Sequence, residues 1–134
     1  MVIEKRDILN RRDIDILMEE FYRCAFADKT IGYIFTDVAK MDLSEHLPII
    51  GDFWEGVIFG TRKYVARGRN PMVIHRELAM KEPLREAHFE RWLELFCGAV
   101  DGLFEGPNAE NLKWRAAQIS ERMIANICRA IHFT

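Results

Sequence analysis

The sequence predicts an all-α protein. Apolar residues recur every three or four positions over most of its 134 residues, and the strict alternation typical of strands is rare. The composition, 49% hydrophobic and 30% charged, is typical of a folded globular chain. A chain of this length suits one domain and buries enough surface to fold without disulfides. We therefore expect a single helical domain over residues 1–134, with residues 1–11 as an N-terminal extension or a short first helix.

The first long helix is predicted over about residues 13–27. Its apolar positions, among them Ile14, Leu17 and Phe21, follow the spacing of a helix with one buried face. Asp13 is a suitable N-cap because its carboxylate can accept hydrogen bonds from the first turn. A short apolar patch, residues 33–35, follows this helix.

The next helix, predicted over residues 44–59, is apolar on more than one side. Ile49 and Phe53 occupy one side, and Trp54 and Ile58 occupy another. A surface helix normally has a single apolar stripe, so this pattern indicates burial on two sides. Either the helix lies at the centre of the core, or one of its sides contacts something other than protein.

The middle of the chain alternates between loops and helices. Residues 64–70 have the composition of a basic loop, and residues 72–80 form a short helical segment that contains His75. Pro83 suits the first turn of a long helix that carries Trp92, because a first-turn residue needs no N–H donor.

A break at Gly106 and Pro107 precedes the last helix, for which Asn108 is a suitable N-cap. The apolar stripe of this helix consists of Leu112, Ala116, Ile119, Met123, Ile127 and Ile131. We therefore expect four substantial helices and one or two short ones.

Charge, cysteines and motifs exclude several classes of function. The formal net charge of −2 argues against nonspecific nucleic-acid binding, which uses a basic face to neutralise phosphates. No apolar run approaches the ~18 residues of a membrane span. The three cysteines form no CxxC pair, which favours a reducing compartment and predicts a cytoplasmic protein. The phosphate-binding loop, the HExxH zinc motif and the GxSxG nucleophile elbow are all missing.

Four polar or aromatic side chains stand in unusually apolar segments: Tyr22, His46, His75 and Trp92. His75 is either a ligand to an iron, as in haem proteins, or a half-buried histidine with a hydrogen-bond partner. The hydroxyl of Tyr22 would donate either to a bound ligand or to a backbone carbonyl. His46 is either a mobile gate or a solvated surface residue, and Trp92 is either a core residue or a donor to a ligand.

Five segments resemble, in order and spacing, the third group of the truncated haemoglobins. They are FYRCAF, TIGYIF, SEHLPIIGDFWEG, NPMVIHREL and HFERWLELF, and the match extends over about residues 12–130. The glycine-pair motifs that mark the first two groups are missing here, as they are in the third. The resemblance implies a truncated globin fold, in which a two-over-two helical sandwich encloses a haem.

The same resemblance assigns roles to individual residues. His75 corresponds to the proximal ligand of the haem iron. The distal ligand pocket corresponds to Tyr22, His46, Ile50 and Trp92, with the Tyr22 hydroxyl placed to donate to bound oxygen.

Further residues correspond to those that contact the haem itself. Besides His75, the expected haem contacts are Phe35, Ile50, Phe53 and Trp92. Several basic residues are candidates for the haem propionates, and the sequence does not select among Arg62, Lys63, Arg67, Arg69 and Arg76.

The resemblance implies haem b as cofactor and reversible binding of O₂, NO and CO, for oxygen binding or transport or for redox chemistry of NO and O₂. An alternative is a haem-dependent NO dioxygenase or a peroxidase-like enzyme, which would need a separate reductase because no flavin or nicotinamide motif is present. A second alternative is a haem-free helical interaction module. No residue is assigned a catalytic role, and neither nucleic acid nor membrane is expected as a partner.

Overall fold

The computed structural model describes residues 4–129, which form six α-helices and contain no β-strand. The helices are α1 (Arg11–Ala27), α2 (Leu43–Phe59), α3 (Lys63–Ala66), α4 (Pro71–Lys81), α5 (Glu86–Leu103) and α6 (Pro107–Met123). Two further segments, Ile34–Val38 and Ile124–Arg129, are π-helical. Ile131, predicted as the end of the last apolar stripe, lies outside the described residues.

The four long helices form two crossed pairs. Helix α1 packs against α2 and α5, and α6 packs against α5 and α2. This is the predicted two-over-two sandwich, and the all-α class is confirmed. Its centre is apolar, because Phe21, Phe96 and Leu112 have at most 1% of their surface exposed. The arrangement brings one side of α2 against α1 and leaves another side facing the space towards α4.

The predicted start of α1 is wrong. Asn10 is the N-cap, and its side-chain oxygen accepts a hydrogen bond of 3.1 Å from the backbone N–H of Asp13. The carboxylate of Asp13 is buried instead, where Oδ2 accepts a 2.7 Å hydrogen bond from Nη1 of Arg6. Asparagine and aspartate are about equally good N-caps, so the ion pair with Arg6 decides which residue serves.

The starts of α5 and α6 also differ from the predictions. Helix α5 begins at Glu86 rather than Pro83, because the backbone N–H of Arg85 donates to Nδ1 of His88 (3.0 Å). Asn108 is not the cap of α6; its backbone N–H donates to Oδ2 of Asp7 at 2.9 Å. The start of each helix is therefore set by a side chain that the prediction did not include, His88 for α5 and Asp7 for α6. The segment predicted as a basic loop contains most of α3.

A half-buried ion network joins α1, α2 and the segment after α2. Nη1 of Arg11 contacts Asp52 at 2.6 Å and Glu55 at 2.9 Å, while Lys63 contacts Glu55 at 2.9 Å and Arg67 contacts Asp52 at 2.7 Å. Burial alone would raise the pKa of each carboxyl group, but hydrogen bonds from these cations lower both pKa values below their usual range. The network fixes α2 against α1, and within it Lys63 and Arg67 are both paired with carboxylates.

Helix α2 continues through an internal proline. Asp42 caps the helix by accepting a 3.1 Å hydrogen bond from the N–H of Ser44, and the first turn holds His46. Pro48 has no N–H and cannot donate to the carbonyl of Ser44, whereas its own carbonyl accepts a 3.0 Å hydrogen bond from Nη2 of Arg11. The helix is therefore weakened before Pro48 and held to α1 from Pro48 onwards.

Within residues 4–129, no helix combines the length and the low charge that crossing a bilayer would require.

Candidate functional site

A cavity of about 440 Å³ lies between α2 and α4 and is also lined by residues of α1, α5 and α6. Its wall is mostly apolar, and side chains from the π-helical segment Ile34–Val38 complete one end. The cavity wall includes every residue that the sequence motifs single out: Tyr22, Phe35, His46, Ile50, Phe53, His75 and Trp92. The fold therefore brings together side chains that are up to 70 positions apart in the sequence.

His75 lies on α4, the helix that forms one side of this cavity. Asn70 caps α4 by accepting a hydrogen bond from the N–H of Met72, and Pro71 occupies the first turn. Nδ1 of His75 donates a 2.7 Å hydrogen bond to the carbonyl of Pro71. Burial lowers the pKa of His75 below its usual value, although this hydrogen bond opposes the change. The imidazole is therefore neutral near pH 7, with its proton on Nδ1 and the lone pair on Nε2 available to a ligand.

Tyr22 lies on α1 at another side of the same cavity and has 7% of its surface exposed. The rings of Phe21 and Phe35 contact its ring edge to face, with centroids 4.8 and 5.7 Å away. No group within residues 4–129 accepts a hydrogen bond from its hydroxyl, and burial raises the pKa of the phenol above its usual value. A buried hydroxyl without an internal acceptor is a donor available to a molecule in the cavity.

His46 and Ile50 reach the cavity from the N-terminal half of α2. His46 is half-buried, and its Nδ1 donates a 3.0 Å hydrogen bond to the carbonyl of Asp42. Ile50 follows one turn later and also lines the cavity. The imidazole is thus tied to the N-cap residue of its own helix, and Ile50 lies one turn further along the same helix.

Aromatic rings form the remaining walls. Trp92 of α5 stacks on Trp54 of α2, with ring centroids 6.2 Å apart and planes inclined by 21°. Phe53, the neighbour of Trp54, packs edge to face on Tyr64 at 5.1 Å. Phe35 stacks on Phe26 at 5.4 Å, with an angle of 13° between the planes. These contacts hold flat apolar surfaces in fixed orientations around the cavity.

The structure separates the five basic candidates that the sequence left open. Lys63 and Arg67 belong to the ion network, and Arg62 and Arg76 are exposed and do not line the cavity. Arg69 is half-buried and lines the cavity, and its Nε is buried without a hydrogen-bond partner in the described part of the chain.

Lys81 also lines the cavity and is not among the five candidates. It is the last residue of α4 and is exposed. The sequence offers one signal for Lys81: it follows His75 by six positions, near the end of the same predicted helix.

Sequence reasoning also missed a chain of hydrogen bonds at the cavity edge. His88, which lines the cavity, accepts at Nδ1 from Arg85, so its Nε2–H donates to the hydroxyl of Tyr33 at 3.3 Å. That hydroxyl donates to Glu82 at 3.2 Å. Burial lowers the pKa of His88, and the positive charge of Arg85 lowers it further. The histidine that begins the HFERWLELF motif therefore holds the end of α4 against α5 and the residues before the π-helical segment.

Comparison with known proteins identifies two similar chains, while no family model matches the sequence. A group 3 truncated haemoglobin of Campylobacter jejuni is 34% identical over 119 residues, which cover 87% of this chain and 89% of the relative. The crystal structure of a group III truncated haemoglobin from Campylobacter jejuni superimposes with a TM-score of 0.79 at 28% identity. That superposition covers 92% of this chain and 95% of the other.

Proposed function

Because the chain belongs to the group 3 truncated haemoglobins, we propose that this haem-binding globin binds O₂, NO and CO reversibly at a haem b whose iron is ligated by His75. When bound, haem would supply an iron that a protein side chain can ligate and that can bind a diatomic gas. The proposal rests on one observation: a single cavity is lined by the imidazole of His75 and by the polar side chains expected on the distal side.

The residues of the cavity fit a haem. A haem is a flat apolar ring with two carboxylates at one edge, so it needs apolar walls, one iron ligand and cations at an edge. The cavity volume of about 440 Å³ lies within the ~300–1,000 Å³ typical of cofactor sites. The free lone pair of His75 and the unpaired Nε of Arg69 supply the ligand and one cation.

His75 is proposed as the proximal ligand because its hydrogen bond fixes the required tautomer. The carbonyl of Pro71 holds the proton on Nδ1, which orients the ring and increases the basicity of Nε2. A neutral imidazole is the form that binds a metal, and burial favours that form.

Tyr22, His46, Ile50 and Trp92 are proposed to form the distal pocket. The Tyr22 hydroxyl has no internal acceptor, so it donates to the bound gas without breaking another hydrogen bond. The indole of Trp92 is held by its stacking on Trp54 and supplies a second donor. Ile50 would limit the space beside the gas, and His46 would line the same side from the first turn of α2.

Phe35 and Phe53 are proposed to pack on the ring, since both present flat apolar surfaces to the cavity. Arg69 and Lys81 are proposed to bind the propionates, because they are the cavity-lining cations and neither has an acidic partner in the described part of the chain. The guanidinium of Arg69 offers paired donors that suit a carboxylate.

Donors at the gas-binding side would also support redox chemistry of O₂ and NO, as an NO dioxygenase or a peroxidase-like enzyme. Such an activity requires electrons from a separate reductase. The three cysteines are unpaired and half-buried, which supports the proposed cytoplasmic location. Family membership favours gas binding and redox chemistry of O₂ and NO over the haem-free interaction module.

The absorption spectrum of the haem-loaded protein tests the proposal directly. We expect a Soret band that shifts on reduction with dithionite and again on addition of CO, and a pyridine haemochrome spectrum typical of haem b. His75→Ala should lose haem during gel filtration and regain the band only when haemin is added back together with imidazole. His46→Ala is the matched control. It also removes an imidazole from the cavity wall, on α2 instead of α4, and should keep the band.

Either of two results would contradict the proposal. A wild-type chain that takes up no haemin would refute haem binding by this cavity. A native spectrum in His75→Ala, without imidazole, would refute His75 as the iron ligand while leaving haem binding intact.

A further inference from the structure

A second cavity of about 360 Å³ lies behind the first turn of α4, between α2 and α6. Its floor is apolar and consists of Phe53, Val57, Pro71, Met72, Ile119 and Met123. Four of these residues also line the first cavity, so the two spaces share a wall.

The rim of the second cavity presents hydrogen-bond donors. Arg115 and Arg122 lie two turns apart on α6, Gln118 lies between them, and Asn70 stands at the start of α4. The side-chain oxygen of Asn70 already accepts hydrogen bonds from the first turn of α4, so its amide N–H groups remain available. No acidic residue lines this cavity within residues 4–129.

The two arginines contrast with the other cations of α6 and the segment after it. Lys113 contacts Glu110 at 3.0 Å, and Arg129 contacts Glu121 at 3.1 Å. These pairs use the acidic residues of α6, and neither Arg115 nor Arg122 has an ion-pair partner in the described range. Residues 1–3 and 130–134 contain no acidic side chain. Two cations beside an apolar floor are therefore left without a carboxylate from any side chain of the described structure.

We propose that this second cavity binds an amphipathic monoanion, of the class of medium-chain carboxylates, with its head group on Arg115 and Arg122 and its apolar tail against the floor. Guanidinium groups bind carboxylates through paired, charge-assisted hydrogen bonds. An inorganic anion would satisfy the arginines but leave the apolar floor uncovered on the side that faces the second cavity. A neutral apolar molecule would leave the like charges of the arginines uncompensated.

The site is connected to the iron-binding side through one residue. Pro71 lines both cavities, and its carbonyl accepts the hydrogen bond from Nδ1 of His75. An occupant that contacts Pro71 and Met72 therefore touches the turn that orients His75. The binding site itself does not depend on the proposed haem function, because its arginines and floor belong to the protein.

Isothermal titration of the haem-loaded protein with octanoate, hexanoate and nitrate tests this proposal. We expect one saturable site, and octanoate should bind about ten-fold more tightly than hexanoate if both additional methylene groups are buried. Arg115→Gln/Arg122→Gln should weaken octanoate binding by at least five-fold. Arg62→Gln/Arg76→Gln is the matched control, because it removes two exposed charges that line neither cavity and should leave the affinity unchanged.

Several results would overturn the proposal. They are the absence of saturable octanoate binding, equal affinity in both double variants, and nitrate binding as tight as that of octanoate. Displacement of octanoate by imidazole added as an iron ligand would place octanoate in the first cavity and also overturn it. Circular dichroism checks that the arginine variants are folded, and Arg115→Lys/Arg122→Lys should retain part of the affinity. Haem content is measured on the same sample; a sample without haem refutes the proposed function and leaves the octanoate result to decide this proposal separately.

Discussion

Replacing Tyr22 with phenylalanine separates the role of a buried hydroxyl in gas binding from any role in stability. The ring of Tyr22 packs against Phe21 and Phe35, and its hydroxyl has no acceptor within residues 4–129. Tyr22→Phe keeps the ring and its contacts, so the packing of α1 is preserved. The free energy of unfolding should therefore stay unchanged or rise slightly, because a hydroxyl that burial desolvates is removed.

The effect on gas binding should be much larger. A hydrogen bond from the phenol to a polarised ligand contributes about 1.5 kcal/mol, between the values for neutral and charged partners. Since about 1.4 kcal/mol corresponds to a factor of ten, we expect the O₂ dissociation rate to rise about ten-fold. CO carries less negative charge when bound, so its dissociation rate should change less.

Stopped-flow replacement of O₂ by CO measures the dissociation rate, and urea unfolding measures stability. Tyr33→Phe is the matched control, since its hydroxyl is bonded to Glu82 and His88 and does not line the cavity. That variant should lose about 1 kcal/mol of stability and keep the O₂ dissociation rate. An unchanged O₂ dissociation rate in Tyr22→Phe would refute the reasoning, as would equal rate increases in the two variants.

Two further substitutions test a cation that lines the cavity, Arg69, and a carboxylate of the ion network, Asp52. Arg69→Met should increase the rate of haem transfer to an acceptor globin about five-fold, the effect of roughly 1 kcal/mol, whereas Arg62→Met should not. The difference should vanish with the dimethyl ester of haem, and its persistence would exclude a propionate contact. Asp52→Asn removes a carboxylate whose pKa is lowered in the folded state, so its contribution is present above pH ~4 and lost as the pH falls through the folded pKa. Near pH 7 the free energy of unfolding, measured in urea, should be about 2 kcal/mol lower in the variant because Arg11 loses a partner. The difference between wild type and variant should shrink in acid. A difference that does not depend on pH would contradict this explanation.

The helices follow from apolar spacing, but their ends depend on contacts that no local pattern contains. Asn10 and Asp13 are both good N-caps, and the choice is made by Arg6, which binds the carboxylate of Asp13. Similarly, the first N–H groups of α6 bond to Asp7, about 100 positions earlier in the chain. Apolar spacing therefore predicts the long helices well and their first residues less well.

In the candidate site, too, local patterns predict some residues, whereas contacts between distant parts of the chain decide others. Motif spacing led to His75 and the distal side chains, and the fold gathers them in one cavity. It did not select Arg69 among the basic candidates, because that choice depends on which cations are already paired. Lys63 and Arg67 are occupied by the acidic residues of α2, and a sequence pattern does not show this.

The internal proline of α2 has a consequence for the time course of gas entry. The turn before Pro48 lacks one backbone hydrogen bond, so fraying of this turn breaks fewer bonds than opening the same length of an unbroken helix. His46 is bonded to the carbonyl of Asp42, so its imidazole moves together with this turn. Fluctuations of a helix end occur within nanoseconds to microseconds, whereas the ring of Trp92 is held by its stacking on Trp54. We therefore expect His46 to be the fast-moving wall of the cavity, exchanging between positions many times during one residence of a bound gas.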